Sequence, residues 1–591
     1  MKKIFYIVVI AGAIFSGCKK MTDINTDPTQ FVKVMPEGSM NTAIRATPSI
    51  LAQYPVNKYW EYANWVSLTG RYDCADVMWQ TSYVTILNNL QQILNNYGSD
   101  TAFNNRVQIA RIYKAYIQSV LVGAYGPIAA SQANDPNRLS SIIFDKEDSV
   151  YANLLSTLKE ASGKINIAKT TDKLPYDAIY NGDLLKWKKF ANSLRLKIAL
   201  RCQLSLGNTA LDAVREIMAD EANLIGSDAD AAKIQFDNAT NGNQNPYYIG
   251  YSGKANVTAP SGISFPKMSD YMLDFLRSYK DPRINVYFDS VAKATDRYIL
   301  IDTLASTADD SMRIVTYPIP HWGIPKSTAK LSGWTASLAN QVDPIGNANT
   351  FSNVTTKVWS DPLRPMVIMG FAETLFLKAE AAQLGLGGSQ TPDVYYNAGI
   401  DANFVSWGLT LAQASTYKQA NGVKWGTSSV GKTFRNYIGI TNADIPDGDI
   451  NKIYAQAWMN YFPDGGFDAW CMIRRTWSLN FPPHTNPASP GALYSDVPFR
   501  MFYPATLLSL NPDGYADAMK QLNLVGTGSE TINNTVPLKF MKPHETINWN
   551  DVPAQYDYSL VQKWYGQTIQ ELSAAAKASG FTYTVRSSYK P

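Results

Sequence analysis

Glu373 and Glu380, seven residues apart in an apolar stretch, are the first place to look for acid–base chemistry. At 1.5 Å per residue a helix sets them roughly 10 Å apart. A retaining glycosidase holds its carboxylates about 5 Å apart, and the usual inverting range is also shorter. Lys378 lies between them, so an ordinary ion pair is the expected role. The acidic run 444–451 offers Asp447, Asp449 and Asn451 at calcium-loop spacing, but lacks the glycine at the sixth position and the acid at the twelfth. His321, His484 and His544 are isolated from one another, and Cys74, Cys202 and Cys471 show no metal-ligand spacing and allow at most one disulfide. Neither a GxSxG elbow nor an HExxH helix occurs. These residues give catalysis no positive support and imply neither a cofactor nor a metal.

Binding has more to work with. Polar ligands compete with water for every hydrogen bond, so their sites combine a flat aromatic face with a few directed polar groups. Rings on loops are better candidates than rings on helix stripes. One cluster holds Tyr59, Trp60, Asn64, Trp65, Arg71 and Tyr72. Trp60 and Trp65 are five apart and would not share one helix face, so at least one is expected to be displayed. A second cluster holds Tyr247, Tyr248, Tyr251, His321, Trp322 and Trp334. From these we take Trp60, Asn64, Trp65, Arg71, Tyr72, Tyr248, Trp322 and Trp334 as a candidate aromatic arc, although any single ring is more often buried than displayed. Arg474, Arg475 and Arg500 could hold an anion. Such rigid forks more often pair with carboxylates or helix ends, and the structural role is expected here.

The elements that must position these residues are mostly helical. Three-to-four-residue apolar periodicity predicts helices over 79–96, 104–122, 150–161, 183–202 and 208–219, with Asp183 as an N-cap. Between about 223 and 365 Gly, Pro, Asn, Ser and Thr are frequent and helical runs are short, 269–279 excepted. An irregular insert with a few strands is expected, at 298–301 and 313–317 among others. Helices return over 365–384, stopped by Gly385, and over 394–407, 449–461 and 558–579. No linker within 41–591 is clean enough to cut, so we expect a single, mainly α-helical domain of antiparallel helix pairs carrying the insert.

The N-terminus has its own logic. Lys2 and Lys3 precede a 12-residue apolar run, Ile4 to Phe15, then Ser16, Gly17 and Cys18. This is the layout of a secretory signal, too short to span a bilayer, which takes about 20 residues. Cys18 just after the small residues resembles a bacterial lipobox, which implies cleavage after residue 17 and a lipid anchor on Cys18. Residues 18–40, polar and carrying Pro28 and Pro36, read as a tether. Loss of 1–17 removes two of 53 basic residues and none of the 49 acidic ones, leaving a net charge of +2. That balance does not point to nucleic acid, which needs a concentrated basic face. Charged residues form 17% of the chain, below the roughly 25% of an average soluble protein. Near-neutral charge with many rings suits uncharged polar ligands.

The segments TDINTDP at 22–28, DAIYNGD at 177–183, ANSLRL at 191–196 and PFRMFYP at 498–504, taken in order, resemble the SusD/RagB family of surface nutrient-binding lipoproteins of Bacteroidetes. Thr22 to Pro28 (TDINTDP) looks like the family's opening signature. Asp177 to Asp183 (DAIYNGD), followed by Trp187, Phe190 and Ala191 to Leu196 (ANSLRL), is the most specific match. Glu373 with Glu380-Ala381-Ala382 resembles its alanine-rich helix, and Tyr395 to Ile400 its YYxxGI turn. Gln456, Trp458, Asp468, Ala469, Trp470 and Arg474-Arg475-Thr476 follow, with Ala457 for the usual Lys and Asp468 for the usual Glu. Pro498, Arg500, Tyr503 and Pro504 fit PxRxxYP, with Asn511 beyond.

The resemblance implies a tetratricopeptide-like helical scaffold and a ligand site where an N-terminal loop meets the central insert. It also implies anchoring to the outer membrane through lipidated Cys18, and a SusC-like TonB-dependent transporter as partner. The ligand would be an oligosaccharide or a peptide, captured without chemistry. Lys19 and Lys20 stand where surface-exposed relatives often carry acids. A surface glycoside hydrolase, with paired acids in one cleft, and an adhesin are the rival readings.

Overall fold

The computed structural model describes residues 34–52, 58–67, 76–135, 142–251, 266–290, 352–429, 446–479, 497–524 and 536–544, His321, and short strands elsewhere. Cys18, Arg71, Tyr72, Cys74, Trp322, Trp334, His484 and the helix expected over 558–579 lie outside the described residues. The first helix, α1 (Pro36–Leu51), starts inside the segment read as tether, with proline in its first turn, where a missing N–H costs nothing. Next come α2 (Lys58–Tyr62) and the two-residue strand β1 (Val66–Ser67). The helix expected over 79–96 is broken in character. A π-helix, Thr81–Leu87, precedes α3 (Asn88–Tyr97).

Paired helices then form the scaffold: α4 (Asn104–Tyr125) with α5 (Glu147–Lys164), and α6 (Leu184–Arg201) with α7 (Asn208–Met218). The turn into α6 is built by two aspartates. Asp177 accepts from the N–H groups of Ile179, Tyr180 and Gly182 and from Trp187 Nε1, at 2.6–3.2 Å. Asp183 caps the helix by accepting from Lys186 N at 3.0 Å. The DAIYNGD motif is therefore a folded turn, and its Trp187 is fully buried.

In the insert, β2 (Ala232–Ile234) and β3 (Lys267–Met268) are short. The longer hairpin of β4 (Tyr298–Thr303) and β5 (Met312–Tyr317) is antiparallel, in register Tyr298 to Tyr317. The helix expected from Pro365 starts later. Residues Met366–Met369 form β6, antiparallel to β2, and Gly370 then opens α8 (Phe371–Gln383). Glu373 reaches back to accept from the Gly370 N–H at 3.4 Å, one half of a capping box, since glycine has no side chain to return the bond.

α8 packs on α9 (Pro392–Ser406), and a Cβ on Gly399 would come 2.6 Å from the Phe376 ring. Only glycine permits that approach. The last pair, α10 (Asp449–Tyr461) and α11 (Gly466–Thr476), closes the scaffold. The protein is mainly α, with helix pairs of tetratricopeptide-like type. Among the described residues no helix is long and apolar enough to cross a membrane.

Candidate functional site

The two aromatic clusters do meet, but as a knot in the core. Trp60 stacks on Tyr247 at 4.9 Å and Tyr251 at 6.3 Å, and its Nε1 donates to Pro463 O at 2.6 Å. Trp65 stands edge-on to Phe462 at 5.4 Å. Trp60, Asn64 and Trp65 are all 0% exposed, which corrects the expectation that one tryptophan would be displayed. The chain leaves α2 at once, Asn64 taking a positive φ of 60°, so residue spacing on a continuous helix does not apply. Both side-chain atoms of Asn64, and Trp65 Nε1, lack a hydrogen-bond partner among the described residues. Of the eight arc candidates, Tyr248 alone is seen half-buried, since four lie outside the described residues.

What the knot does is gather the roots of the segments that carry Arg71, Tyr72 and Trp322. Ser67, the last residue before 68–75 with Arg71 and Tyr72, is paired with Lys267. Lys267 is bridged in turn to Asn353, and the next residue, Val354, to Phe288. His321, immediately before Trp322, hydrogen-bonds Phe288 O at 3.2 Å. Lys267 itself, not singled out by sequence, is half-buried, donates to Asn353 Oδ1, and has no carboxylate partner among the described residues. Desolvation pushes its ammonium down to about 8. A lone lysine in a strand carries no pattern that would have flagged it.

A cleft of about 1040 Å³, which shares Phe462 and Pro463 with the knot, opens beside α8, α9, α10 and α11. Half-buried Trp407, packed on Tyr287 at 4.5 Å, lines it with Phe371, Asp401 and Asn460. Trp407 follows directly on the last turn of α9, just before Gly408, and a tryptophan at a helix stop is the signal that could have found it. The carboxylates of the cleft are engaged. Asp464 is held bidentately by Arg364 at 2.7 and 3.0 Å. Lys197 binds both Glu373, at 2.7 Å, and Asp468, at 3.0 Å, and Arg201 binds Asp468 at 2.7 Å. Burial raises the Glu373 carboxyl, with Lys197 opposing.

The ion pair expected between Lys378 and its flanking glutamates is not made; Lys378 pairs with Glu221 at 2.5 Å. Glu380 is gripped by Arg475 at 2.5 and 2.6 Å. Arg474 donates to the carbonyls of Phe499, Gly123 and Trp470 and lies 3.4 Å over the Trp470 ring. Arg500 is 1% exposed, over the Tyr503 ring. The structural role expected for these arginines is what the contacts show. In the acidic run, Asp447 accepts from Ser429 N and Ser428 Oγ, and Asp449 pairs with Lys452. Among the described residues no group of three or more His, Cys, Asp or Glu could hold a metal ion. Cys202 and Cys471 are free buried thiols.

Comparison with known proteins places this architecture. A family model described as "Starch-binding associating with outer membrane" matches residues 21–504. Among solved structures, a chitin-binding SusD homologue from Flavobacterium johnsoniae is 19% identical, with a TM-score of 0.61, covering 85% of this chain and 98% of its own. SusD homologues from Bacteroides vulgatus and Bacteroides uniformis are both 18% identical, with TM-scores of 0.63 and 0.62. They cover 87% and 85% of this chain and 99% of each of their own. None of the curated proteins compared matches. With the family's motifs on a helix-pair scaffold and a family model spanning most of its length, the chain belongs to the SusD-like family.

Proposed function

We propose that the chain is a lipid-anchored outer-membrane protein that captures an oligosaccharide at its insert face. It then passes that ligand, unaltered, to a SusC-like TonB-dependent transporter. The observation that carries the reading is the convergence of Ser67, Lys267, Asn353, Phe288 and His321. It starts the segments bearing Arg71, Tyr72 and Trp322 from neighbouring points. Glycan is favoured over peptide by the starch-binding description of the family and by the chitin-binding relative. The test is copurification from native membranes joined to a glycan and peptide binding screen. Recovery of a TonB-dependent barrel and saturable binding of a neutral oligosaccharide are expected. Absence of the barrel, with peptides bound in place of glycans, overturns it.

One observation favours the hydrolase alternative: Glu373 and Asp468 share a cleft and a lysine. Against it, the Glu373 side chain is 6% exposed, Lys197 holds both carboxylates, and Arg201 adds a second hold on Asp468. Such groups hold α6, α8 and α11 together and have no free face for a glycosidic oxygen. Turnover of the bound glycan that vanishes in Glu373→Gln would reinstate the enzyme reading.

A further inference from the structure

One end of the bundle shows a side chain that packing does not explain. Tyr176 is 83% exposed, yet its backbone sits at φ 61°, a conformation costly for a bulky residue. It is held there by two hydrogen bonds: Tyr176 N donates to Asn181 Oδ1 at 3.1 Å, and Asn41 Nδ2 donates to Tyr176 O at 3.0 Å. A strained residue that presents its ring to solvent invites a functional explanation.

Its neighbours share the pattern. The start of α1, the end of α3, the start of α4, the end of α5 and the start of α6 all lie at this end, and side chains tie them together. Arg106 pairs with Glu37 at 2.8 Å and donates to Lys173 O at 2.9 Å. Asn105 donates to Asn166 O at 2.9 Å, and Tyr97 to Val34 O at 3.3 Å. On this frame stand exposed Ile167, Val34 and Met35, each about half accessible. Most acids of the end are engaged by a neighbouring side chain or a helix start, although Asp183 stays exposed. Glu37 is bound to Arg106, Asp172 is buried between Arg106 and Lys169, and Asp100 and Asp183 cap helices. Lys164 and Lys173 remain exposed. The surface therefore sets apolar side chains and a tyrosine beside exposed Lys164, which shares Glu160 at 4.0 Å, and exposed Lys173, a mixture that settles at a lipid–water boundary.

The chain also says what lies opposite. Val34 lies sixteen positions beyond Cys18, a length that spans at most about 55 Å and as a random coil would average roughly 22 Å. We propose that this end, led by Tyr176 and Ile167, seats directly on the phosphate-bearing lipid surface to which Cys18 is anchored. The inference rests on the lipid-anchor reading for its geometry. The tether then supplies proximity and the seat supplies orientation.

The test uses the full mature chain with Cys18→Ser, which removes the lipid but not the surface. It is mixed with vesicles of phosphatidylethanolamine and phosphatidylglycerol, and the bound fraction is measured by sedimentation. Weak, salt-sensitive association is expected, falling about tenfold with Tyr176→Ser plus Ile167→Ser. Val405→Ser plus Leu411→Ser, at exposed positions beside the large cleft, should leave it unchanged. An unaltered bound fraction in the first pair, or no association at millimolar lipid, overturns the seat. Labelling of Cys18 by radioactive palmitate in cells tests the anchor separately. Its failure would remove the anchor without touching the vesicle result. Thermal melts of each variant establish that it is folded.

Discussion

Arg474 and Arg475 are adjacent on α11 and both lie deep in the protein, but they are stabilised by opposite means. Arg475 faces the α8 side and makes a two-pronged bond to Glu380, whose Oε1 also accepts from Tyr454 at 3.1 Å. Arg474 faces the α4 side, and its guanidinium meets carbonyl oxygens and the face of Trp470. The Glu380 charge holds the Arg475 cation well above its ordinary range against the cost of burial. Burial pulls Arg474 down. Glu147 is the mirror image of Arg474, a buried carboxylate whose bonds run to the N–H groups of Lys539 and Phe540, at 2.9 and 3.1 Å. Burial lifts it to about 7. An ionic partner stabilises charge as such. A backbone cage stabilises position, and joins segments far apart in sequence.

Removing the cage should hurt most. Arg474→Ala leaves the carbonyls of Gly123 and Phe499 without this partner and opens a cavity, so a loss of about 5 kcal/mol in urea unfolding is expected. A loss below about 2 would mean that the carbonyls find other donors. Arg475→Met strands the Glu380 carboxylate and should cost about 4 kcal/mol, whereas Arg475→Met with Glu380→Met should recover most of it. Equal losses in the single and double variants would break the distinction between the two arginines.

Glu147 extends the comparison into pH. Its folded pKa of about 7 lies above the ordinary 4.5, so the folded state binds the proton more tightly. The stabilisation is full below about 4.5 and is lost as pH rises through 7, up to about 3 kcal/mol. Glu147→Gln should flatten the stability profile over that window; an unchanged slope assigns it to other groups. The smallest effect is expected where charge meets solvent. Lys159 and Glu216 pair at 2.9 Å with side chains 58% and 46% exposed, and Lys159→Ala should cost at most about 0.5 kcal/mol in the same unfolding assay.

Local signals read well where local physics decides. Asp183 was legible as a cap, and α10 runs over the expected 449–461, because an apolar stripe after Gly448 needs no distant information. The late start of α8 was not legible, since the strand before it exists by pairing with β2, far away in sequence. The burial of Trp60 depends on Tyr247 and Pro463, and no spacing around residue 60 encodes them. Tyr176 was not legible for a different reason. A tyrosine gives no hint of a left-handed backbone, and the Asn41 and Asn181 bonds that enforce it appear only in the folded chain.

The bond from Trp60 to Pro463 has a consequence for how the protein comes into being. It joins positions 403 residues apart, and Trp458 Nε1 reaches Ala63 O across 395. Contacts of such separation form late, because the entropy of closing the loop must be met before they stabilise anything. A chain emerging from the ribosome therefore cannot finish its aromatic core until residue 463 has been made. On the proposed reading of a lipid-anchored outer-membrane protein, that delay is useful: the leading segments have no completed core to jam the passage through the inner membrane.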